Sequence, residues 1–166
     1  MQLSKKSPKK KSLETALIAV ILCVMTAAAP VHARHNTQVK NTWGGEGPAI
    51  QGYDPVAYFT MEKAVKGSEE FAHEWLGAKW HFINAEHRDL FAADPTQFAP
   101  QHGGYCAVGA DGGGTYSANP EAWRIADGKL YLFYSDDTAS SFDPTSASTT
   151  QADASWQNEL LDLLKH

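Results

Sequence analysis

The chain has 166 residues, with 14 Lys and Arg against 19 Asp and Glu and a formal charge of −5. Without its first 33 residues, which have the features of an export signal, 133 residues remain, carrying 9 basic and 18 acidic side chains, a formal charge of −9. So acidic a surface excludes nucleic acid as a partner, and the length fits one domain with one core.

Lys5, Lys6, Lys9, Lys10 and Lys11 make a cationic start, Ala16 to Ala29 an apolar stretch, and Val31-His32-Ala33 a small-residue cleavage site. Residues 1–33 therefore read as a signal peptide, which implies a periplasmic or secreted mature protein beginning at Arg34. Fourteen apolar residues fall short of the ~20 that span a bilayer as a helix, so no stable membrane insertion is expected after cleavage. Leu22 is too large for the position before a lipidated Cys23. With Cys23 removed, Cys106 is the sole cysteine, so no intramolecular disulfide can form, and the thiol is either buried or chemically engaged.

Residues 34–48 are polar and Gly-rich and read as an irregular lead-in, with the domain starting near Ala49. Val56-Ala57-Tyr58-Phe59 is short, apolar and β-prone, which predicts a buried first strand. Phe71 to Trp75 and Ala78 to Phe82 predict a hairpin turning at Leu76-Gly77, with Trp75 opposite Ala78, Glu74 opposite Lys79 and His73 opposite Trp80. That register puts His73 on the core side and His81 toward water. Asn84 is a suitable N-cap for a helix over Ala85 to Ala93 that ends at Asp94-Pro95, and a short helical turn follows through Phe98.

Gly109 to Asn119 reads as a loop, since no Gly-Lys-Ser/Thr phosphate motif accompanies its glycines. Trp123 to Ala126 and Lys129 to Tyr134 predict a second hairpin around Asp127-Gly128. Ser135 to Asp153 is polar and resembles a surface linker of low order. Trp156, Leu160, Leu161 and Leu164 mark one face of a terminal helix. No internal repeat is apparent. The expected fold is α+β, a small antiparallel sheet of hairpins packed with short helices.

Gly52-Tyr53-Asp54-Pro55-Val56-Ala57-Tyr58-Phe59, His73-Glu74-Trp75 with Gly77 and Trp80, Phe82 through Pro95, and Gly103-Gly104-Tyr105-Cys106 together resemble exported YHS-domain proteins. The likeness covers residues 50 to about 134, with a fainter echo at Ala152-Asp153-Ala154-Ser155-Trp156. It implies a YHS-like, treble-clef-related module over residues 49–134, followed by the polar linker and C-terminal helix of 135–166. In the metal-handling members, cysteines stand in Asp-Pro-Val-Cys and Phe-Cys-x-x-x-Cys motifs. Those positions here are Ala57, Ile83 and His87, so the thiolate cage implied by the resemblance is not present.

Two function classes follow. An exported binding protein would hold or deliver a copper or zinc ion through His73, His87, His102 and Cys106. His102 and Cys106 would share a face if their segment were helical. Alternatively, a metal-free module would use Tyr53, Tyr58, Trp75, Trp80, Tyr105 and Trp123 as a cleft for a small ligand or an exported protein partner. A minor third reading makes Cys106 the nucleophile of an enzyme, with His73 or His102 as base; it lacks an orienting group, so a non-enzymatic role is expected.

Overall fold

The computed structural model describes residues 47–165. The expected signal peptide and all but the end of the lead-in lie outside the described residues. The fold is α+β, with two separate two-stranded antiparallel sheets among short helices.

A turn at Ala49–Gly52 leads into α1 (Ala57–Thr60), then β1 (Ser68–Trp75), β2 (Ala78–Phe82), α2 (Ala85–Ala93) and α3 (Pro95–Phe98). A second such turn, Gln101–Gly104, leads into α4 (Ala107–Asp111), β3 (Asn119–Ala126), β4 (Lys129–Phe133), α5 (Asp136–Ser140) and α6 (Ala147–Leu163). The first hairpin pairs Trp75 with Ala78, Glu74 with Lys79 and His73 with Trp80, the expected register. Leu76 and Gly77 turn it at φ 47° and 69°, as Asp127 and Gly128 turn the second at 50° and 72°. Two successive positive φ values make the turn whose twist matches that of paired strands.

An internal repeat, not apparent in the sequence, is plain in the backbone. Ser68–Phe82 pairing recurs as Asn119–Phe133, and His73–Trp80 as Arg124–Tyr131, a constant offset of 51 positions. Both hairpins have a register irregularity at the same place, after Ser68 and after Asn119. Asn84 caps α2 by accepting from His87 N, and Ser135 caps α5 by accepting from Thr138 N. Phe91 packs on Trp80 and Phe82 with ring centroids 5.0 and 5.2 Å apart, and Phe142 packs on Tyr131 and Phe133 at 4.8 and 5.0 Å. The leading turns match as well, there at an offset of 52, one more than in the hairpins: Ile50, Gln51 and Gly52 have φ 42°, 56° and 78°, and His102, Gly103 and Gly104 have 55°, 65° and 81°. Few side chains repeat, because the repeated features are backbone geometry, caps and one aromatic position.

The structure corrects four expectations. Val56 to Phe59 is not a strand: Asp54 Oδ1 accepts from Val56 N at 2.8 Å and from Ala57 N at 3.3 Å, which starts α1 instead. Residues 135–153 are not a loose linker, since α5 and the first turns of α6 lie there and Thr149 is buried. The loop expected over Gly109 to Asn119 begins later, since α4 runs to Asp111; the terminal helix does dock on the core through Trp156 and Leu160, beside Trp80, Phe91 and Leu130, while Leu161 and Leu164 are exposed. Finally, His81 is tucked under the first turn, its Nε2 buried with no partner among the described residues, and burial lowers its pKa. No helix among the described residues is long and apolar enough to cross a membrane.

Candidate functional site

The two halves bury their polar groups in different ways. In the first, Asp54 is fully buried, and its Oδ2 accepts from Ile83 N at 2.9 Å and meets His87 Nδ1 at 2.7 Å. With the two α1 amides on Oδ1, four donors surround this carboxylate, which is how a buried charge is made tolerable. His87 Nε2 lies 3.3 Å from Thr60 Oγ1, so both ring nitrogens of that histidine have partners. This cluster ties the first turn, α1, the end of β2 and α2 together.

In the second half the position after the turn is Cys106, only 4% exposed and packed in the main core. Polar chemistry has moved to the turn itself and to α6. The His102 side chain is 4% exposed, and its Nε2 lies 2.9 Å from Asp153 Oδ1. Asp153 Oδ2 accepts from Lys129 Nζ at 2.8 Å and from the Tyr131 hydroxyl at 2.6 Å. Burial pushes the Asp153 carboxyl up, but the hydrogen bonds and charge from Lys129, with Tyr131, hold it below the usual range. Burial, then the Asp153 hydrogen bond, raises the Tyr131 hydroxyl. An ionised Asp153 accepts only, so the imidazole proton sits on Nε2. Burial lowers the His102 pKa despite the opposing pull of Asp153 and Asp111, so the ring is neutral near pH 7 and Nδ1 holds a lone pair.

His102 Nδ1 is buried and has no hydrogen-bond partner among the described residues. Asp111 Oδ1 is buried and unpartnered as well, whereas Asp111 Oδ2 accepts from Thr149 Oγ1 at 2.8 Å. Both residues line a pocket of about 530 Å³ between the second turn, the α4 C-terminus with Gly112–Gly114, and α6. Tyr105, Trp156 and Glu159 add two aromatic rings and a second carboxylate to the walls, and among the described residues no Lys or Arg lines it. The volume is within the ~300–1,000 Å³ of small-molecule sites. His102 stands at φ 55°, in a region that costs a non-glycine residue about 1–3 kcal/mol. The fold holds this side chain against a local backbone preference.

The residues singled out from sequence fare unequally. His102 and Tyr105 line the pocket. Cys106 does not share a helix face with His102, because both turn glycines adopt positive φ and Tyr105 and Cys106 are extended. His87 is held by Asp54, and His73 lies on β1 with its ring 6.2 Å from that of Phe91. Among the described residues no group of three or more His, Cys, Asp or Glu side chains is placed to hold a metal ion, so the four-donor set does not assemble. Tyr58 and Trp80 are fully buried core residues; the Tyr58 hydroxyl donates to Pro120 O at 2.8 Å, and its ring meets Trp123 edge-on at 5.3 Å. Tyr53 donates to Glu121 Oε1 at 2.9 Å, and Trp75 packs on Trp80 and Phe91. The expected six-ring cleft is therefore largely core and hairpin packing.

Asp111, Asp153, Trp156 and Glu159 were missed as site residues. Asp153 and Trp156 lie within the faint echo at residues 152–156, the one sequence signal that pointed there. Asp111 sits in a glycine-rich run whose loop reading drew attention from its acid.

Fold and site together define an α+β domain built on a duplicated hairpin unit, with an acid-rich pocket in its second half. No family model, curated protein or solved structure matches the chain.

Proposed function

We propose that this protein is an exported, metal-free binding module that takes a small molecule in the pocket beside His102. One observation carries the reading: two buried acceptor atoms, His102 Nδ1 and Asp111 Oδ1, go unpartnered among the described residues, on two side chains that line a cavity of ligand size. An unmade hydrogen bond on a buried polar atom costs about 1–3 kcal/mol, and a ligand that completes it recovers that cost. Binding rather than catalysis is favoured because Cys106 is packed in the core and does not line the pocket. Export and the YHS-like relationship remain part of the proposal on the strength of the N-terminal segment and the quoted motifs.

The test is amide NMR of the protein against a panel of neutral, anionic and cationic small molecules. Saturable shifts at Gly112, Gly113 and Gly114, absent in His102→Ala, are expected. Parallel titration with Cu(I), Cu(II) and Zn(II) is the counter-test. Saturable one-to-one metal binding that disappears in His87→Ala or Cys106→Ala would replace this reading with the metal-carrier one.

A further inference from the structure

We propose that the pocket takes a small ligand bearing an ammonium or amidinium group, with its N–H donors divided between His102 Nδ1 and Asp111 Oδ1. This rests on the pocket reading above and names the ligand class. Both vacant positions are acceptors. The His102 proton is committed to Asp153 through Nε2, which leaves Nδ1 a lone pair, and Asp111 already accepts a hydroxyl proton from Thr149 on its other oxygen. A carboxylate or phosphate ligand would set lone pairs against lone pairs here, whereas an N–H group satisfies both atoms.

Charge points the same way. Asp111 is in the wall, no Lys or Arg lines the pocket among the described residues, and the nearby Lys129 ammonium is paired with Asp153 at 2.8 Å. A cationic group would face the Asp111 carboxylate, and Trp156 and Tyr105 supply rings against which its apolar part, or the cation itself, can rest. The glycine-rich wall, which in a basic setting would suggest phosphate, is here unsuited to an anion.

The probes are benzylammonium and benzamidinium, with benzyl alcohol and benzoate as isosteric neutral and anionic controls, each titrated into the whole protein and read at the Gly112–Gly114 amides. The two cations should saturate at least about tenfold more tightly than either control. Asp111→Asn should erase most of that preference. Acidification that protonates His102, a ring faced by Asp111, Asp153, Lys129 and Tyr131, should release the cations. Equal or tighter binding of benzyl alcohol or benzoate would overturn the ligand class while leaving a small-molecule pocket in place. Cation binding unchanged in a folded Asp111→Asn variant would overturn the assignment to His102 and Asp111. If that variant does not fold, the ranking of the four probes on the native protein decides the ligand class. No saturable shift with any of the four would overturn both the class and the pocket reading.

Discussion

The first half of the domain closes its buried carboxylate with four donors, whereas the second leaves two buried acceptors open beside a cavity. The hairpins have one register and the turns nearly one set of dihedrals, so the scaffold does not account for the contrast. Three exchanges do. Ile50, at 0% exposed, occupies the turn position that His102 occupies in the other half, and Asp54 stands where Cys106 does. In addition, α6 lies over the second half as a long helix and brings Asp153, Trp156 and Glu159 with it. A repeated unit thus serves once as a sealed structural joint and once as the floor of a pocket. A buried carboxylate marks structure when its lone pairs are filled, as at Asp54, and marks a candidate site when one is left open on a residue that lines a cavity, as at Asp111.

The sharpest way to break this comparison is at Asp54. Asp54→Ala removes the acceptor for three amides and His87 together, and stranding partners of a buried charge costs about 3–5 kcal/mol. Chemical denaturation should show a loss of that size. Cys106→Ala at the matching position removes only a small apolar contact, about 1 kcal/mol or less on the scale of one or two buried methylenes. Equal losses at the two sites would mean that the Asp54 cluster is not the joint described above.

Gly67 tests the repeat from the other side. The residue 51 positions on is Ala118, fully buried, yet a Cβ at Gly67 would collide with the His81 backbone. Copying the second half into the first with Gly67→Ala should cost about 1–3 kcal/mol, as overpacking does, with hairpin amide exchange rising at β2. A neutral result would show that the halves are more interchangeable than their side chains suggest.

Local signals were strong where a single residue type decides the backbone. Asp127-Gly128 and Leu76-Gly77 revealed both hairpins, and Asn84 and Asp94-Pro95 bracketed α2, because turns and caps are short-range chemistry. The α1 error shows the limit. Val56 to Phe59 has strand-like composition, and a carboxylate two residues upstream overrides it through hydrogen bonds that no periodicity reports. The pocket was less legible still. His102, Asp111 and Asp153 come together only through an internal repeat with little side-chain identity and a helix that begins inside a polar stretch, so their proximity is tertiary. Residues 135–153 misled for a related reason: Ser135 and Ser146 cap α5 and α6, and Thr149 reaches Asp111, rather than solvating a linker.

A smaller effect separates the two halves by pH. His102 and His81 are both held below the ordinary histidine pKa by burial, with carboxylates opposing, Asp153 and Asp111 at His102 and Glu69 at His81. As pH falls through the ordinary histidine range near ~6.5, the unfolded chain takes up protons that the native state resists. Stability increases with pH where the unfolded state binds more protons. It should therefore decline on acidification from about pH 6.5 down to each depressed native value, and the histidine contribution should then level off. Asp153, held below the carboxylate range, loses its contribution only at lower pH, outside this window. His81→Gln and His102→Gln should each flatten part of the slope in denaturation curves collected across the window. With saturating benzylammonium present, the native slope should steepen, because the ligand occupies the His102 lone pair and must leave before the ring is protonated. His81→Gln should keep that ligand-dependent steepening and His102→Gln should lose it. Were both variants to lose it, or neither, the pH response would not belong to the pocket half, and the division between a sealed joint and an open site would fail.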